Sequence, residues 1–86
     1  MPEISRFLGI VIAMYYRDHA PPHFHAKYEG HVAIFNIQTH RLMAGFLPPN
    51  AVRLVREWLK LHEKELMDDW NRAQTDKELK PIQPLV

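Results

Sequence analysis

The spacing of apolar and polar residues changes character near Pro48, from the short alternation of strands to the three-and-four recurrence of a helix. Leu8-Gly9-Ile10-Val11-Ile12-Ala13-Met14-Tyr15-Tyr16 is rich in β-branched and aromatic residues and reads as one strand apolar on both faces, central in its sheet or covered twice. Pro21-Pro22 imposes extended geometry on the residue before each proline, and Phe24-His25-Ala26-Lys27-Tyr28 then alternates so that Phe24, Ala26 and Tyr28 face the core. Glu29-Gly30 signals a hairpin into His31-Val32-Ala33-Ile34-Phe35-Asn36-Ile37. A second short connection, Gln38-Thr39-His40, leads into Arg41 to Leu47. The expectation is an antiparallel meander of three or four strands in sequential order.

Pro48-Pro49-Asn50 closes the sheet and opens a helix, since proline is tolerated in a first turn whose N–H groups have no partner in the helix. Val52, Val55, Leu59, His62, Leu66, Asp69 or Trp70, and Ala73 recur on one face, widened by Trp58. Residues 62–65 include no aliphatic or aromatic hydrophobe, so a break near His62 is the alternative to one continuous helix. Beyond Thr75-Asp76, Leu79, Ile82 and Leu85 are interrupted by Pro81 and Pro84, which predicts an extended tail pinned by a few apolar contacts. The fold class is therefore α+β in one domain: sheet over residues 1–47, helical region over 48–75, tail over 76–86. One core suits 86 residues. A single helix covers one face of a sheet, so apolar surface is left for a homodimer or a protein partner unless the tail folds over it.

Composition narrows the chemistry. Eleven Lys and Arg against ten Asp and Glu leave a net charge of +1 with no basic tail, which argues against a general phosphate-backbone binder. With no cysteine there is no disulfide and no thiolate ligand, so a metal would need His, Asp or Glu. The longest apolar run, Phe7 to Tyr16, is too short to span a bilayer and lacks the flanks of a signal peptide, which predicts a cytoplasmic protein without membrane partners.

The unusual segment is Asp18-His19-Ala20-Pro21-Pro22-His23-Phe24-His25. His23 and His25 stand two apart on a strand and point to the same side, away from Phe24, while Asp18 and His19 reach the same area from across the prolines. Three chemistries fit. Imidazoles at this spacing, on His19, His23 and His25, suit a divalent transition metal such as zinc or nickel. The same three histidines suit acid–base catalysis near neutral pH, as in RNA cleavage that uses the 2′-hydroxyl. Arg17, Lys27, Arg41, Tyr15, Tyr16 and Tyr28 would then supply phosphate contacts or stacking. In the third reading the histidines and Asp18 only order a proline-rich connection. His31, His40 and His62 read as structural, the first two satisfied by solvent at turns and His62 partly buried; Trp58 and Trp70 read as packing residues.

Met1 to Phe7, Met14-Tyr15-Tyr16 and Asp18 to His25 resemble the opening pattern of a small bacterial family, the domain of unknown function catalogued as "four-one-six-zero". Leu47-Pro48, Glu57-Trp58 and Leu61-His62 resemble its helical half, and Pro-Pro-His-x-His is the most specific motif. The chain departs at His40, where the family commonly has a turn glycine, so a looser or differently shaped hairpin is expected there. The resemblance implies a bacterial cytosolic protein, often encoded beside another small protein in an arrangement similar to toxin–antitoxin modules. It also implies a functional patch at Asp18, His19, His23 and His25, without supplying an activity.

The combined expectation is a member of a two-gene, toxin–antitoxin-like module that binds a small protein partner. It carries RNA-directed activity at His19, His23 and His25, with Asp18, Arg17, Lys27 and Tyr28 as binding residues. The alternative is a non-catalytic binding or regulatory protein whose histidine cluster is structural or holds a transition metal. No other cofactor is expected.

Overall fold

Glycines at positions 9 and 30 set two of the hairpins. Leu8 and Gly9 (φ 51° and 81°), like Glu29 and Gly30 (φ 47° and 80°), form two-residue turns with both central residues left-handed, the twist that matches antiparallel strands. In the computed structural model, which describes residues 2–86, these turns organise one five-stranded antiparallel sheet in sequential order. Met1, included in the sequence comparison above, lies outside the described residues. The strands are β1 (Glu3–Phe7), β2 (Ile10–Ala13), β3 (His23–Tyr28), β4 (His31–Asn36) and β5 (Leu42–Gly45), followed by helix α1 (Pro49–Gln74).

The α+β architecture is as expected, and the extra strand has a local cause. The run from Leu8 to Tyr16 is not one strand: Leu8-Gly9 turns the chain so that Phe7 pairs with Ile10, and the ladder of β2 stops at Ala13. Its apolar character is real, since Ile10, Ile12 and Ala13 are fully buried, and β2 lies inside the sheet between β1 and β3.

Strand register sorts side chains onto two faces. One face carries Phe7, Ile10, Ile12, Phe24, Ala26, Ala33 and Phe35, all buried. Trp58 of α1 packs into it, 5.5 Å from Phe7 and 5.8 Å from Phe24 between ring centroids. The other face carries the rows Arg6–Val11–Lys27–Val32 and Ala13–His25–Ile34–Ala44. Toward β5 that face is open, with Val32 44% exposed and Ala44 also exposed.

The helix starts at Pro49, directly after Pro48, and bends at His62, whose backbone leaves helical geometry (φ −122°, ψ 22°). The bend falls in residues 62–65, which carry no aliphatic side chain to hold them against the core. The first half buries Ala51, Val55, Trp58 and Leu59; the second buries Leu66, Asp69, Trp70 and Ala73. The tail is extended and pinned by Ile82, as expected, and by polar ties as well. The Ile82 N–H donates to the Ile4 carbonyl (2.8 Å), the Trp58 indole donates to the Gln83 carbonyl (2.9 Å), and the Lys80 N–H donates to Asp69 Oδ1 (2.9 Å). The tail thus ties to β1 at Ile4 and packs Ile82, Leu79 and Leu85 against the core on the helix side of the sheet.

One expectation about a histidine is revised. His40 is not left to solvent at its turn: its Nε2 lies 2.6 Å from Glu63 Oε1, and its carbonyl accepts from Arg56. It also occupies a left-handed position (φ 65°), the kind of turn site that glycine fills without strain. That connection is tied down by Asn36, whose Oδ1 accepts from the N–H groups of Gln38 and Thr39 (2.8 Å each). His31 is exposed and meets Phe46 edge-on at 5.1 Å. His62 is partly buried as expected, with Nδ1 2.6 Å from Glu65 Oε1 and its ring against Trp58. No helix among the described residues is long and apolar enough to cross a membrane.

Candidate functional site

The connection between β2 and β3 carries the histidine segment around one end of the sheet, and the second half of α1 braces it. The Arg17 N–H donates to the Ala73 carbonyl (3.2 Å), and Gln74 Nε2 donates to the Asp18 carbonyl (3.3 Å). Arg17, with a left-handed backbone (φ 55°), pairs through its guanidinium with both carboxylate oxygens of Asp76. The Ala20–Pro21 peptide is cis. The bend in α1 therefore matters to the site, because the segment beyond it supplies Trp70, Ala73 and Gln74.

Three side chains converge there. Asp18, His23 and His25 each present one ligand-type atom, and these atoms all lie within 4.8 Å of one another. His23 is held at both ring nitrogens: Nδ1 lies 2.7 Å from the Pro21 carbonyl oxygen and Nε2 lies 2.9 Å from Asp18 Oδ2. A carbonyl can only accept, so Nδ1 carries a proton, and the remaining nitrogen faces the carboxylate. Asp18 Oδ1 accepts from the His19 N–H (2.8 Å). The His23 ring also packs 5.1 Å from Trp70 and is only 8% exposed. His25 meets Tyr15 edge-on at 4.5 Å, and its Nδ1 is buried without a hydrogen-bond partner.

The electrostatics follow from this packing. Partial burial pushes the Asp18 carboxyl up, but the His19 N–H, the His23 ring and the charges on His23 and His25 together outweigh it, and the group ends below the usual carboxylate value. Burial, assisted by His23 and Lys27, holds His25 below the ordinary imidazole value against the opposing pull of Asp18. His25 therefore favours its neutral form, the form that ligates metals or accepts a proton.

Of the residues expected at the site from sequence, Asp18, His23 and His25 come together. His19 contributes its backbone N–H and lies outside that trio. Lys27 shares the open face with His25, two residues along β3. Tyr28 is on the opposite face, packed against the core, and Arg17 is exposed and engaged with Asp76. Helical spacing puts Trp70 on the packing stripe but does not reveal its contact with His23, because nothing in the spacing fixes the direction of α1 after its bend.

The family model described as Domain of unknown function (DUF4160) matches residues 9–71. The chain belongs to this family. The match covers β2 through most of α1, and so includes every member of the Asp18–His23–His25 trio and Trp70. No curated protein and no solved structure matches the chain.

Proposed function

We propose that this DUF4160 protein is a non-catalytic binding member of a bacterial two-gene, toxin–antitoxin-like module, acting in the cytoplasm, and that it docks a small protein partner on its open sheet face. The observation that carries this reading is the inequality of the two faces. Helix and tail seal one, while Val32, Ile34 and Ala44 on the other present apolar surface beside the positive charge of Lys27. Exposed apolar surface rimmed by polar groups is what a protein interface requires.

RNA cleavage is the weaker reading of the same region. A general acid or base must exchange its proton with substrate, whereas the exchangeable nitrogen of His23 faces Asp18 within the cluster and the residue is only 8% exposed. His25 alone does not make an acid–base pair.

The test is co-expression with the product of the neighbouring gene, followed by size-exclusion chromatography. The expected result is a stable complex with no cleavage of added RNA by the purified chain. Absence of a complex, together with RNA cleavage by the wild type and none by a folded His25→Ala variant, would overturn the reading in favour of catalysis.

A further inference from the structure

We infer that Asp18, His23 and His25 form a binding site for one divalent transition-metal ion of the zinc class, a role distinct from partner docking and independent of it. The donor set of two imidazoles and one carboxylate is of the type that zinc takes, and three protein ligands leave a fourth position open. The ligand atoms already lie within 4.8 Å of one another. A tetrahedral ion with bonds of about 2.1 Å spaces its ligands roughly 3.4 Å apart, so the widest separation closes by at most about 1.4 Å, within reach of side-chain rotation.

The surroundings have the form of a supporting shell. A ligating histidine typically donates its second ring N–H to a carbonyl or carboxylate, which fixes the ring and makes the free nitrogen a better donor. Here the Pro21 carbonyl takes Nδ1 of His23 at 2.7 Å and leaves Nε2 directed at Asp18 Oδ2. Asp18 is itself oriented by the His19 N–H on its other oxygen. The Pro21-Pro22 connection brings Asp18 beside β3, and the strand puts His23 and His25 on one side of the sheet. An ion between these atoms replaces the single proton that bridges Asp18 and His23. His25 brings a further reason for a ligand, because its buried Nδ1 has no hydrogen-bond partner.

His19, the histidine next to Asp18, provides the internal control. It lies outside the trio although sequence spacing alone would include it.

The experiment is calorimetric titration of the chelator-treated full chain with Zn²⁺, with circular dichroism of each variant and the visible d–d bands of Co²⁺ as a second readout. The expected result is one ion per chain and a raised melting temperature. Asp18→Asn and His25→Ala should each weaken binding at least tenfold, while His19→Ala leaves it within about twofold. Asp18→Asn keeps the shape of the side chain, so it carries the test if His25→Ala does not fold. Failure of Zn²⁺ to bind the folded wild type overturns the assignment, as does binding that survives Asp18→Asn, which would place any ion elsewhere, or binding lost equally in His19→Ala, which would make His19 a ligand and break the trio. Each of these results leaves the partner-binding reading standing.

Discussion

Strand β3 shows two opposite environments one residue apart. Phe24 and Ala26 point into the interior and are fully buried, with Phe24 stacked on Phe35 (5.7 Å) and edge-on to Trp58. His23 and His25 point to the other side, where one is wedged against Trp70 and the other borders the open rows of the sheet. The covered face is defended by volume, since any atom removed from it leaves a hole that close packing cannot refill. The opposite face is defended at one end by a few polar contacts and is free toward β5. The difference assigns stability to one face and leaves the other available to the proposed partner and metal ion.

The comparison is most easily broken through the core. Trp58→Ala should destabilise the chain by about 3–5 kcal/mol in urea denaturation, because it removes a fully buried indole and its tie to the Gln83 carbonyl. A loss under 1 kcal/mol would mean that the helix is not what closes the covered face. Gly45→Ala comes next. Gly45 has φ 81°, and a Cβ there would collide with the Val32 carbonyl oxygen, so the expected cost is about 1–3 kcal/mol by the same measurement.

On the other face the sharper probe is pH. His25 has its folded value held below 6.5, so near that pH the unfolded chain takes up the proton more readily than the native one. The stability His25 confers is thus present above 6.5 and is lost as pH falls from there through the folded value. Denaturation midpoints at about pH 7.5 and about pH 5.5 should fall less between the two in His25→Gln than in the wild type. Equal falls would mean that His25 is not buried against like charge as described. The smallest effect concerns a turn. Leu8 is exposed and left-handed (φ 51°), so Leu8→Asn, which suits a two-residue turn before glycine, should stabilise by about 0.5 kcal/mol.

Much of this was legible in the chain, and the remainder has identifiable causes. The alternation in Phe24 to Tyr28, the Glu29-Gly30 turn, the helix start at Pro49 and the break at His62 all rest on local chemistry that sequence displays. The Leu8-Gly9 turn was hidden because leucine is a poor turn residue and sits within an apolar run. The trio itself was half visible. The spacing of His23 and His25 puts them on one side of a strand, but the exchange of His19 for Asp18 depends on the path of the Pro21-Pro22 connection, which spacing does not encode. Asp69 or Trp70 fits the packing stripe by spacing, and both are buried, Asp69 at 1% exposed. Burial raises its carboxyl above the usual value despite the Lys80 N–H, and its Oδ2 has no hydrogen-bond partner. The N–H that Asp69 Oδ1 accepts comes from the returning tail, which the spacing of the helix does not show.

The central claim, that one face holds the fold while the other binds, is tested most directly with Val32→Glu/Ala44→Glu, two changes confined to exposed positions of the open face. Binding of the neighbouring gene's product would be measured by titration calorimetry alongside urea denaturation of the variant. The account predicts at least a tenfold loss of affinity with stability within about 1 kcal/mol of the wild type. Undiminished affinity in the folded variant would contradict it and move the interface off this face.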